Sequence, residues 1–342
     1  MDAMLHALES IPDVEFRKDE PLARHTTLRV GGPVRLLARP RSESALFALL
    51  EAIRELGVPF IILGEGSNVL APDGPREMVV IQLHLALGGE CVKGQTPRPP
   101  AQQAGNPAGG PTAQAGNPAG GPTANPAAAL AAYAGAGTRL RDLIRFCVEN
   151  GLQGLEGLAG VPATVGGALF MNASTSFGAI SDPLAHIDLL DAEGVKRTLS
   201  RQELHPGYRT MGLPQNCVVL GACFELRPCE RSMLQNRVEE ILEKRRKSQP
   251  LRYPSAGSVF KNPAGQFAGA LIEKAGLKGF SIGDAQISKK HANWIVNRGK
   301  ATAKDILGLI EKTENEIFGS FGVRLEREIR ILDQLYRNPA LC

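Results

Sequence analysis

Gly64-Glu65-Gly66-Ser67-Asn68-Val69-Leu70 follows the apolar run Phe60-Ile61-Ile62-Leu63, and that junction decides how the fold is read. A short apolar run bounded by turn residues has the character of a buried strand. The segment after it carries two glycines and two small polar side chains. Glycine lets backbone N–H groups approach and turn inward, so such a loop can cradle a phosphate or pyrophosphate. Upstream, Leu46, Leu49, Leu50, Ile53 and Leu56 recur at helical spacing. Ser42 is placed to cap the start, and Gly57 sits just past the end. The spacing predicts a helix over 42–56 and a buried strand over 58–63. Thr27 to Leu37 adds strand-like residues broken by Gly31-Gly32-Pro33. Strand, helix and strand at this spacing make an α/β unit.

A second small-residue segment lies a hundred residues on. Gly154 to Ala173 has five glycines, Pro162 and small polar residues interrupting a mostly apolar run. It reads as a buried, tightly turning stretch, either a crowded core crossover or the second wall of a ligand site. Before it, Leu140, Leu143, Ile144, Cys147 and Val148 form a helical stripe ending before Gly151. After it come a hairpin over 187–199 turning at Ala192-Glu193-Gly194, and a strand over 218–226. A helix over 231–247 carries Leu234, Val238, Ile241 and Leu242 on one face. A helix over 305–318 has Thr302 and Asp305 in capping-box positions. Val323 to Leu332 alternates as a terminal strand.

The 342 residues suffice for two or three domains with real cores. Apolar content of 43% and charged content of 22% describe an ordinary globular chain. A net charge of +4 is too small to argue for a nucleic-acid surface. The six cysteines form no C-x-x-C pair, and no Cys/His spacing resembles a zinc site, so free thiols in a reducing cytoplasm and no metal are expected. The first residues lack a basic patch followed by a long apolar core, and no apolar stretch reaches the length of a membrane span. A cytoplasmic protein with no membrane partner is therefore expected. Gln103 to Ala113 repeats unchanged as Gln114 to Ala124. With no aromatics and almost no charge, residues 95–127 read as a disordered, inert surface insertion.

Four patterns in the second half have the residue types for chemistry. They are Tyr208-Arg209; Gly257-Ser258-Val259-Phe260-Lys261-Asn262-Pro263; the polar run Gly283 to Asn297 containing His291; and Leu325-Glu326-Arg327-Glu328-Ile329. Singly, each has a plain structural reading. Arg209 reads as a surface ion-pair partner. Ser258 would satisfy backbone groups, and no G-x-S-x-G elbow surrounds it. His291 would be structural. Glu328 shares a strand face with Arg324, Glu326 and Arg330, a face normally solvated. The run Lys244-Arg245-Arg246-Lys247 closes a helix, where cations suit the carbonyl end, or meets the phosphates of a ligand.

Together and in this order, these motifs resemble the UDP-N-acetylenolpyruvoylglucosamine reductases, the MurB family, in its shorter type. The resemblance runs from about Leu22 to Leu332. It implies an α+β architecture: an FAD-binding fold of the vanillyl-alcohol-oxidase type over 22–228, then a smaller α/β substrate domain over 229–332. It implies non-covalent FAD, NADPH as reductant, and UDP-N-acetylglucosamine-enolpyruvate as the compound reduced to UDP-N-acetylmuramate for peptidoglycan. By family correspondence Arg209, Ser258 and Glu328 are catalytic. Arg209 would support charge growing on the substrate carboxylate, Ser258 would donate a proton, and Glu328 would polarise the intermediate or relay protons. Gly64, Glu65, Gly66, Ser67, Asn68, Val69, Gly160, Val161, Pro162, Thr164, Gly166, Gly167 and Asn172 would hold the cofactor. Tyr208, Lys261 and Asn262 would contact substrate. A monomer is expected. The chain departs from the family pattern at Ala163, usually glycine, and at Asn172-Ala173-Ser174-Thr175-Ser176-Phe177-Gly178, where Asn-Ala-Gly-Ala-Tyr-Gly is usual. Two rival readings stay open. One is an oxidase of the same cofactor fold with tethered flavin, for which His25 and His84 are the available side chains. The other is a regulator that binds nucleotide sugar or flavin without turnover.

Overall fold

The computed structural model describes residues 7–83, 91–92 and 130–337. The Gly/Pro repeat and His84 lie outside the described residues. The first sheet is mixed, with Val14–Pro21, Pro33–Pro40, Arg76–Ile81 and Phe60–Ile62 in that order. Its first pair is antiparallel and the other two are parallel. The parallel pairs need a crossover, which the helix Glu43–Glu55 supplies. Ser42 caps that helix by accepting from the Ala45 N–H at 3.2 Å, and Gly57 leaves it at φ +62°. The expected strand over 27–37 starts later, at Pro33, because Gly31 and Gly32 pack against the Leu22 and Asp73 loops.

The second sheet is antiparallel: Lys196–Ser200, Leu184–Leu190, Val218–Pro228, Leu130–Gly135 and Cys91–Val92. The predicted hairpin and the strand at 218 are its first three members. One hydrophobic core joins this sheet, the helices Glu43–Glu55 and Leu140–Glu149, and one face of the first sheet. The helix Arg231–Ser248 buries only Leu234 and Ile241, and its Val238 packs on this same core.

A separate core lies under the C-terminal third. There Ser255–Ser258, Trp294–Asn297, Ala285–Ile287 and Ser281–Ile282 form an antiparallel sheet, backed by the helices Ala268–Lys274 and Ala303–Phe321. Leu28, Val30 and Leu70 from the N-terminal part enter this second core.

The segment 323–332 is not the continuous strand that its alternation suggests. Its backbone groups go to different partners: Glu326 O accepts from Lys261 N at 2.8 Å, Glu328 N donates to Val259 O at 2.8 Å, and Arg330 N donates to Asn68 O at 2.9 Å. Only Arg330–Ile331 pairs as a strand, parallel to Val69–Leu70, and Leu332 then opens a last helix. The segment is shared between two sheets, so neither extends along it. Among the described residues no helix is long and apolar enough to cross a membrane.

The helix Ala303–Phe321 is anchored at its start from both parts of the chain. Thr302 and Asp305 form the predicted capping box. Asp73, from the N-terminal part, accepts from Ala303 N at 2.7 Å and Lys304 N at 3.1 Å. Thr302→Ala is therefore expected to cost about 1 kcal/mol of stability, measured as a lower urea midpoint with an unchanged slope.

Candidate active site

A cavity of about 890 Å³ opens between the Gly64–Leu70 loop, the segment 160–177 and the strand Ser255–Ser258. Its walls are close-packed behind the ligand side. A Cβ on Gly64 would meet Thr164 Oγ1 at 2.5 Å, and one on Gly166 would meet Ala136 Cβ at 2.9 Å. Gly66 sits at φ +59°, and its Cβ would lie 2.2 Å from the His25 carbonyl oxygen. Thr164 caps the short helix Val165–Phe170 by accepting from Gly167 N at 3.3 Å. Both glycine segments thus meet across one hollow, as the second-wall reading requires. Gly64, Glu65, Gly66, Ser67, Asn68, Val69, Gly160, Val161, Pro162, Thr164, Gly166 and Gly167 all line it, and so does Ala163.

Arg209, Ser258 and Glu328 line the same cavity. Arg209 is not a surface ion-pair residue. Its side chain is 19% exposed, and its Nε lies 2.7 Å from Oε1 of Glu328, which is 10% exposed. The contact is ionic rather than a directed hydrogen bond, since the Arg209 Nε–H has no aligned acceptor. Burial pushes the Glu328 carboxyl above the ordinary carboxylate range, and the opposing pull of Arg209 and Lys261 does not cancel it. Arg209 holds a left-handed backbone, φ +60°, in a turn closed by Gly207 N donating to Thr210 O at 2.9 Å. Ser258 ends its strand opposite Trp294, and its hydroxyl makes no hydrogen bond among the described residues. Asn293 fixes that strand end: its amide donates to Phe260 O at 2.8 Å and accepts from Phe260 N at 3.0 Å. The polar run 283–297 is thus largely structural. Asn297 likewise donates to Leu28 O at 3.1 Å, and His291 is half-buried beside Trp294 with its pKa lowered by burial.

Four expected site residues stand outside the cavity lining. Asn172 is buried; its Nδ2 donates to Gly207 O at 3.0 Å and so holds the Arg209 turn, while its Oδ1 has no partner among the described residues. Tyr208 is exposed, and its hydroxyl accepts from Asn262 N at 3.5 Å. Asn262 Oδ1 also accepts from Ala268 N at 3.1 Å, at the start of the next helix. Lys261 pairs with Glu326. Asn262 is thus linked to Tyr208, the neighbour of Arg209, and the charge of Lys261 acts on Glu328. His25 is no tether: its Nε2 lies 2.8 Å from Glu20, its side chain is nearly fully buried, and it does not line the cavity.

Lys244, Arg245, Ser174 and Phe177 also line the cavity, and nothing in the sequence pointed to Ser174 or Phe177 as site residues. Of the cationic helix end, Lys244 and Arg245 turn inward to the cavity. Lys244 lies 5.3 Å from the Phe177 ring centroid. Arg245 donates to Gly160 O at 3.1 Å, its Nε is buried with no partner, and no carboxylate pairs with it among the described residues. A cation in that state suits an anionic ligand. With the glycine cradle and the volume, it fits a dinucleotide carrying a pyrophosphate. Gly66→Ala is expected to lower the thermal midpoint and weaken flavin retention, because both the φ and the His25 carbonyl exclude a methyl.

The comparisons with known proteins agree with this geometry. A family model described as the C-terminal domain of UDP-N-acetylenolpyruvoylglucosamine reductase matches residues 249–332, and one described as an FAD-binding domain matches 125–200. The UDP-N-acetylenolpyruvoylglucosamine reductase of Syntrophobacter fumaroxidans is 49% identical over 96% of this chain and 86% of its own length. That of Heliobacterium modesticaldum is 38% identical over 93% of this chain and 91% of its own length. The crystal structure of the Thermus caldophilus enzyme aligns with a TM-score of 0.71 at 33% identity, covering 93% of this chain and 98% of that one. With such identity along nearly the whole chain, the protein belongs to the UDP-N-acetylenolpyruvoylglucosamine reductase family.

Proposed function

We propose that Arg209, Ser258 and Glu328 carry the substrate chemistry of an NADPH-dependent reduction of UDP-N-acetylglucosamine-enolpyruvate to UDP-N-acetylmuramate. The observation that carries this reading is the buried Arg209–Glu328 pair lining one cavity with Ser258 and the glycine loops. The two glycine segments would hold FAD non-covalently, and when bound it would supply hydride, received from NADPH, to the vinyl carbon. Reduction of that carbon drives negative charge into the adjacent carboxylate. The permanently charged guanidinium of Arg209 is suited to stabilise that charge. Ser258 Oγ then donates a proton to the neighbouring carbon. A serine hydroxyl is a weak acid, so it serves only a strongly basic carbanion and only in a fixed position. The Asn293 clamp supplies that fixity. Glu328, kept protonated by burial to higher pH than an exposed carboxyl, polarises the same intermediate or returns a proton toward Ser258.

Tyr208, Lys261 and Asn262 are the proposed contacts for the nucleotide sugar, and Asn172 supports the site from behind. In this reading residues 22–228 are the FAD-binding domain and 229–332 the substrate domain, and the helix Arg231–Ser248 at the start of the second brings Lys244 and Arg245 to the cavity. The reading needs one subunit, no nucleic acid and no metal, and places the reaction in the cytoplasm.

Reduction of UDP-N-acetylglucosamine-enolpyruvate by the purified, flavin-loaded protein is the direct test. A protein that oxidises no NADPH with this compound refutes the assignment. Ser258→Ala is expected to leave flavin reduction by NADPH near normal and to slow flavin reoxidation by substrate by about a hundredfold or more. Equal slowing of both half-reactions would remove Ser258 from proton donation. The reoxidation rate is expected to be full while Glu328 is protonated and to fall as pH rises through its raised pKa. In Glu328→Gln that alkaline fall should vanish, at a lower overall rate.

A further inference from the structure

We propose that Ser174 is a positioning residue for Arg209, acting through its side-chain hydroxyl. This rests on the role given above to Arg209. The guanidinium is held at two corners. Its Nε faces Glu328 at 2.7 Å. Its Nη1 donates to Ser174 Oγ at 3.0 Å and to the Ser174 carbonyl at 3.3 Å. No acceptor among the described residues takes Nη2, which leaves that nitrogen for a ligand in the cavity that Arg209 lines. A flexible arginine side chain has many rotamers, and its left-handed backbone does not choose among them. Without Ser174 the plane would rest on the ionic contact with Glu328, where the Arg209 Nε–H has no aligned acceptor, and on the Tyr208 ring 5.3 Å away, neither of which supplies a directed hydrogen bond. A second fixed acceptor at Nη1 sets the plane.

Ser174 is itself fixed. The strand Ser174–Thr175 pairs with Gly178–Ala179, and Thr175 Oγ1 donates to Gly157 O at 2.7 Å. The same loop holds the Arg209 turn a second time, where Asn172 donates to Gly207 O at 3.0 Å. One short segment thus grips the backbone of the arginine turn through Asn172 and its guanidinium through Ser174. Glycine at position 174 would keep the carbonyl contact and lose the hydroxyl. In this chain the hydroxyl supplies the shorter of the two bonds.

The test is a double-mutant cycle on flavin-loaded enzyme, following both half-reactions by flavin absorbance. Ser174→Ala is expected to slow reoxidation by UDP-N-acetylglucosamine-enolpyruvate about tenfold, the scale of one hydrogen bond to a charged group. Flavin reduction by NADPH and the thermal midpoint should hold, and Ser174→Thr, which keeps the hydroxyl, should restore the rate. In an Arg209→Lys background, Ser174→Ala should add nothing, since lysine has no second corner to hold. Equal slowing of both half-reactions, an unchanged reoxidation rate, no rescue by threonine, or a full extra effect in the lysine background would each overturn the positioning role. An Arg209→Lys enzyme as fast as the parent would instead refute the role of Arg209 itself, so the two failures are distinguishable.

Discussion

Asn68 binds the C-terminal segment twice. Its side-chain amide donates to Glu328 O at 3.1 Å, and its carbonyl accepts from Arg330 N at 2.9 Å. Glu328 N in turn donates to Val259 O at 2.8 Å, one residue past Ser258. These three bonds tie the glycine loop, the Glu328 segment and the Ser258 strand into one junction. None is a contact between functional side chains, yet each sets where one of them begins. Around the junction the two parts of the chain are fastened further by Ser255 N to Thr27 O at 3.1 Å and by the two-point pairing of Arg76 with Asp333 at 2.6 and 2.7 Å.

The buried Arg209–Glu328 pair follows from that rigidity. Removing two charges from water costs free energy that a single ionic contact does not reliably recover. Burial holds the Glu328 carboxyl above the ordinary carboxylate range despite the opposing pull of Arg209 and Lys261. A pair kept for stability alone would be better replaced by apolar side chains. This one lies open to a cavity of about 890 Å³ instead, where a ligand can reach both the guanidinium and the carboxyl group.

The helices were legible because their signals are local. Ser42 and the capping box at Thr302 and Asp305 act within one turn, and the apolar stripes of 43–55, 140–149 and 303–321 need no knowledge of distant chain. The terminal segment misled for the opposite reason. Its alternation reflects burial of Ile329 and Leu332 in two different cores, with backbone partners from separate regions. The sheet of residues 255–297 was missed because its strands are short and broken by Gly257, Gly283 and polar turns. Asn172 reads like a loop residue facing a ligand, and its Nδ2 also donates to the Gly207 carbonyl 35 positions away, which no local pattern reveals.

By itself the amino-acid order determined the family, the two glycine segments and the identity of the arginine, serine and glutamate, because those depend on residue type and spacing along the chain. Only the tertiary structure decided that the three share a cavity, that Glu328 is protonated more readily than an exposed carboxyl, and that Lys244, Arg245 and Ser174 face inward. Each of those is a property of distance and dielectric between segments far apart in sequence, and such properties exist only once the chain has packed.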